Sequence, residues 1–119
     1  MTTPKVEIPE LLPVQDEPEA TVNSALRRID AIVSLGVISY RTLTNPPGGS
    51  GEGDMHVVAT PGGGLWAGHD DAIAYLAFGQ WQFIAPFEGL MVWSIPDSEL
   101  CVYTLQVSPS GWTTLFALP

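Results

Sequence analysis

The sequence predicts a mainly β protein: an extended N-terminal arm, one short α-helix, then a compact antiparallel domain of β-sandwich or barrel-like form. Three observations predict it. Residues 1–20 are broken by prolines and acids, residues 22–36 carry apolar side chains at helical spacing, and residues 37–119 alternate short β-rich runs with dense Gly and Pro punctuation. The expected boundaries are therefore an arm over 1–20, an amphipathic helix over 21–36 and a β domain over 37–119.

The arm holds Pro4, Pro9, Pro13 and Pro18 with Glu7, Glu10, Asp16, Glu17 and Glu19 against the one base Lys5, a composition that favours an extended chain. Between the prolines stand Val6, Ile8, Leu11, Leu12 and Val14, more apolar surface than a spacer needs. These five are the expected contacts of an arm that orders on a partner.

The helix is expected over 22–35. Val22, Ala25, Leu26, Ile29, Ile32 and Val33 follow the i, i+3, i+4, i+7 spacing of one face, Thr21 or Asn23 can cap the first turn, and Gly36 is a natural stop. A lone helix cannot bury such a stripe by itself. It packs on its own domain or bundles with copies of itself, and in the second case Val22, Leu26, Ile29 and Val33 form the seam.

Strands are expected over 37–43, 55–59, 72–77, 81–85, 90–95, 100–107 and 112–118, separated by loops such as 45–53 and 61–64. Three times a turn sequence precedes a tryptophan, at Trp66, Trp81 and Trp112, so that the indole can fold back over its hairpin.

Composition narrows the function classes. The 119 residues hold 4 Lys+Arg against 13 Asp+Glu, a net charge of -9, so no basic stripe exists to neutralise phosphates or an anionic bilayer. No apolar run reaches membrane-spanning length, and the first ten residues lack the apolar core of an export signal. The single Cys101 lies in an apolar run and reads as a buried thiol.

Candidates for chemistry are sparse. His56 and His69 show no zinc-ligand spacing, and successive residues of His69-Asp70-Asp71 point to opposite sides of an extended chain, so no metal site is expected. The Gly-rich run 47–54 lacks the Lys and hydroxyl residue of a phosphate loop. Several carboxylates exist, Glu52, Asp54, Asp70, Asp71, Glu88, Asp97 and Glu99, yet nothing in their spacing pairs two across a cleft, and no serine has nucleophile-elbow spacing. The expectation is a binding protein without catalytic residues, cofactor or metal. Tryptophans in so small a domain are expected in the core; the alternative is a sugar-stacking surface built from Trp66, His69, Asp70 and Trp112.

The ordered series Arg27-Arg28-Ile29-Asp30-Ala31, Arg41-Thr42-Leu43-Thr44, Pro46-Pro47, Glu52-Gly53-Asp54, Leu65-Trp66-Ala67-Gly68-His69, Trp81-Gln82-Phe83, Ala85-Pro86, Glu88-Gly89 and Trp93 resembles a small domain family of unknown function. Its members occur in phages, prophages and gene transfer agents, near or within fibre and spike proteins, and the likeness spans about residues 21–115. The resemblance implies a virion protein and brings no catalytic residue with it. Longer relatives continue into fibre modules where this sequence stops at Pro119. The expected role is thus a component of a head or tail fibre or spike. The arm anchors it to capsid, tail or baseplate subunits, the helix assembles it as a homo-oligomer, a trimer by preference, and it contributes to host attachment. A host-surface glycan-binding module is the alternative; neither nucleic acid nor membrane is an expected partner.

Overall fold

The computed structural model describes residues 2–5, 7–10, 18–34, 36–106 and 110–119, with backbone alone at 18–21 and 34. Helix α1 runs Pro18–Ser34, starting four residues before the expected 22–35. Proline is at home in a first turn, where its missing N–H has no intrahelical acceptor to lose. Among the described residues eight strands follow: β1 Gly36–Val37, β2 Ser39–Tyr40, β3 Met55–Val57, β4 Ile73–Ala77, β5 Gln80–Ile84, β6 Met91–Ser94, β7 Glu99–Thr104 and β8 Gly111–Ala117.

They form two four-stranded sheets, in the orders β1-β6-β7-β8 and β2-β3-β4-β5. Here the expected all-antiparallel sandwich or barrel needs correction: both sheets are mixed, and neither closes into a barrel. The run 37–43 is not one strand. Its chain crosses between the sheets at Ile38, so that β1 lies parallel to β6 (Gly36 opposite Trp93) and β2 parallel to β3 (Ser39 opposite His56). Hydrogen bonds on either side hold the crossing: Ile38 N–H donates to Met55 O at 2.7 Å, and Val37 O accepts Ile95 N–H at 3.1 Å.

The remaining pairs are antiparallel meanders, as the punctuation predicts. Between β4 and β5 the two-residue turn Phe78-Gly79 has positive φ at both positions (53° and 74°), the conformation that matches strand twist in a tight hairpin. Glu52 holds this turn with its carboxylate, which accepts the N–H of Phe78 and, at 2.7 Å, that of Gly79.

One core joins both sheets and the helix. Met55, Val57, Ile73, Tyr75 and Ile84 from one sheet meet Val37, Val92, Cys101 and Trp112 from the other, with Ala31 of α1 among them. A second, smaller cluster, Val58, Trp66 and Ala74 with Leu43, Trp81 and Phe83 packed around it, covers the opposite face of β3–β5. β4 is therefore buried on both sides, which explains why its sequence is apolar throughout rather than alternating. The β6–β7–β8 sheet differs. Its register sets Trp93, Leu100 and Phe116 in one row and Met91, Val102 and Thr113 in the next, and none of these belongs to either buried cluster.

Candidate functional site

Helix α1 sits with its polar side inward. Asn23, Asp30 and Ala31 are buried, whereas Val22, Ile29 and Val33 are 41%, 49% and 55% exposed, Ile32 is also exposed, and Leu26 lies half-buried between. Burying a carboxylate costs several kcal/mol unless donors surround it. Asp30 has them: it accepts the Thr3 hydroxyl (2.8 Å), the Lys5 backbone N–H (3.0 Å) and the Tyr75 hydroxyl. Burial, reinforced by this carboxylate, pushes the Tyr75 phenol far above its ordinary range.

A second ionic contact repeats the design. Arg27 Nε and Nη2 donate to the two oxygens of the buried Glu10 carboxylate at 3.1 and 3.2 Å, and the guanidinium lies 4.2 Å above the Phe78 ring. Arg28 Nη1 donates to Phe83 O at the edge of β5. The inward face of α1 is thus occupied by polar contacts with residues 2–10 and the β4–β5 hairpin, which leaves the apolar stripe outside.

The expected arm contacts divide. Ile8 is half-buried, its N–H bound to the Thr3 hydroxyl at 2.9 Å and its carbonyl to Thr3 N–H at 2.9 Å. Val6, Leu11, Leu12 and Val14 lie outside the described residues.

The expected sugar-stacking set does not come together as a surface. Trp66 has no exposed area, and Trp112 is buried with its Nε1–H donating to Asp71 O at 2.9 Å. Both rings fold inward because the glycine turns before them carry the chain back across apolar sheet faces. Of the four, only His69 and Asp70 reach the surface. The His69 imidazole stacks on Phe83 with centroids 3.6 Å apart, and Asp70 is turned toward Gly62 N–H at 2.7 Å. Asp71 pairs with Arg41 at 3.2 Å, so the three consecutive polar residues 69–71 face three different partners, and no group of metal-ligating side chains converges among the described residues.

A different aromatic hollow does form. Leu65, Gly79, Gln80, Trp81 and Phe83 line an open pocket of about 270 Å³ on the outer side of β5, beside the stacked His69. Here a partly exposed indole adjoins a carboxamide and a bare glycine backbone. The alternation of 81 and 83 on one side of a strand was visible in the sequence; that the loop carrying Trp66 stops short of covering them was not.

Beneath this hollow lies a pair that spacing alone did not reveal. Ser39 Oγ and His56 Nδ1 stand 2.7 Å apart, brought together by the parallel pairing of β2 with β3. Burial holds the imidazole below its ordinary pKa, with partial opposition from Asp54, so His56 is neutral. His56 Nε2 and Trp66 Nε1 are both buried and have no hydrogen-bond partner among the described residues. Chemically this is a hydroxyl beside a base, but Trp66 and Trp81 lie over the imidazole, with ring centroids at 5.3 and 5.9 Å, and close it off from solvent. Cys101 is likewise buried, its thiol pushed up by burial into the unreactive range.

Residues 22–112 match the model of a family described as a protein of unknown function, DUF2793. No curated protein and no solved structure matches the chain.

Proposed function

Since the chain belongs to the DUF2793 family, whose model covers most of its length, we propose that it is a structural protein of a phage-type particle. In this reading it is held by its N-terminal segment and assembled through α1 into a homo-oligomer, a trimer, within a head or tail fibre or spike. The phage, prophage and gene-transfer-agent setting supports it. The observation that carries it is the outward apolar face of α1. Val22, Leu26, Ile29 and Val33 follow a 4-3-4 spacing, the alternation of a coiled-coil seam, on the side of the helix that its own domain leaves uncovered. A role in binding rather than catalysis is part of this reading, and the burial of the Ser39–His56 pair beside two indoles supports it.

Light scattering on the full chain tests this reading. The wild type is expected at a multiple of 12.8 kDa, and Ile29→Asp at a smaller mass with unchanged circular dichroism. A wild type of one-chain mass, or an Ile29→Asp variant of unaltered mass, overturns it.

A glycan-binding role has one observation in its favour, the hollow at Trp81. A pyranose offers an apolar C–H face with a rim of hydroxyls, which suits an indole flanked by the Gln80 carboxamide. Titration of tryptophan fluorescence with a capsular polysaccharide is expected to saturate, and Trp81→Ala to abolish the response. An equal response from the variant removes this reading.

A further inference from the structure

Four features stand outside the reading above: the hollow between residues 2–7 and Phe78, the sealed Ser39–His56 pair, the hollow at Ile32, and the outer face of the β6–β7–β8 sheet. The last two are continuous. Ile32 of α1 and Met91 at the start of β6 line the same pocket of about 200 Å³, together with the exposed Phe87. From Met91 the register carries the apolar surface across the sheet, through Val102 to Thr113 in one row and from Trp93 through Leu100 to Phe116 in the next. Phe116 is 55% exposed and Met91 is also exposed; Trp93, Leu100 and Val102 are half-buried.

We propose that this sheet face and the Ile32–Met91 hollow form one self-association surface, covered by a second copy of this chain. The proposal deepens the assembly reading of α1, on which its helical part rests, by adding the sheet as the larger half of the interface.

Charge argues for a second copy. Each chain carries -9, so copies repel one another over most of their surface. None of the six side chains in the two rows ionises, and between Val22 and Val33 the one carboxylate, Asp30, is buried. This is where two such acidic chains can approach without opposing charge. A basic partner would instead be drawn to the acids elsewhere. Three strands about 4.8 Å apart and about 15 Å long present about 200 Å². The stripe from Val22 to Val33, at about 1.5 Å per residue, adds roughly 150 Å². A pair of copies then buries about 700 Å², the size of a weak, concentration-dependent contact.

Sedimentation of the full chain over a range of concentrations tests the proposal, comparing wild type, Ile29→Asp and the double variant Met91→Lys/Phe116→Lys. Both lysines replace exposed side chains, so the core clusters stay intact. Placing unpaired charges in the interface is expected to weaken self-association at least about 100-fold. A double variant that associates like wild type overturns the proposal, as does a wild type that remains a single chain throughout. If Ile29→Asp alone dissociates, the α1 reading stands and the sheet proposal falls; if only the double variant dissociates, the sheet stands and the α1 reading falls. Should the double variant fail to fold, Thr113→Arg puts one charge in the same row and carries the same two outcomes.

Discussion

Replacing Asp30 by alanine removes the acceptor that three separate segments share. The Thr3 hydroxyl, the Lys5 N–H and the Tyr75 hydroxyl all donate to this carboxylate. Hydrogen bonds to a charged group contribute about 1.5–3 kcal/mol each, and a buried donor left without an acceptor costs about 1–3 kcal/mol. Three such losses do not add in full, because the Thr3 hydroxyl can rotate and Lys5 is only partly buried. The expected destabilisation is about 4 kcal/mol, a large share of the roughly 5–15 kcal/mol that holds a domain of this size. Asp30→Asn is the informative control. Its carbonyl oxygen can take the place of the oxygen that serves Lys5 and Tyr75 while its NH2 donates to the Thr3 oxygen, so charge assistance and the acceptor of the Thr3 hydroxyl proton are lost, at a cost of about 2 kcal/mol. Urea unfolding followed by circular dichroism measures both, and hydrogen exchange at the Lys5 amide reports whether residues 2–5 detach. An alanine variant destabilised by less than about 1 kcal/mol, or one no worse than the asparagine variant, would refute the account of α1 as a helix turned polar side inward by this carboxylate.

Other expectations concern the sealed pocket and its cover. His56 is buried and neutral with its folded pKa below the ordinary value of 6.5, so below that pH the unfolded chain binds a proton the folded one refuses. Stability is therefore expected to fall as pH drops below about 6.5, with a slope of at most about 1.4 kcal/mol per pH unit from this group; His56→Gln should flatten the slope just below pH 6.5, and an unchanged slope counts against it. At Gly62 an added Cβ would meet Trp66 O at 2.5 Å and Val58 Cγ1 at 3.1 Å, so Gly62→Ala is expected to cost about 2 kcal/mol or more and lower the thermal midpoint by several degrees. Trp112→Phe keeps most of the buried ring but leaves Asp71 O without its donor, at an expected cost of about 1–2 kcal/mol in chemical denaturation.

What the sequence made legible depended on how local each cause was. The strands β3 to β8 fall at the expected β-rich runs, because turn residues such as Phe78-Gly79 and a continuous apolar run such as 72–77 act within a few residues. The apolar stripe of α1 was equally plain, but periodicity says that a stripe exists and not which way it faces. Its direction is set by Thr3, Lys5 and Tyr75, which approach Asp30 from distant parts of the chain. The same holds for Ser39 and His56, since the pairing of β2 with β3 is a register that no motif encodes. Trp66 and Trp112 illustrate the reverse difficulty. A tryptophan after a glycine turn in so small a domain is expected in the core, yet sequence leaves a sugar platform open as the alternative, and only the apolar face beneath each one decides for the core.

The crossing at Ile38 has a bearing on how the chain reaches its native state. β3-β4-β5 and β6-β7-β8 are each runs of neighbours in sequence, and such local contacts form quickly. Residues 36–40 do the opposite: Gly36 must find Trp93 across nearly half the chain, against a closure entropy that local hairpins never meet. The two meanders are thus expected to take shape first as separate units, with the Gly36–Tyr40 stitch closing last and making them melt as one.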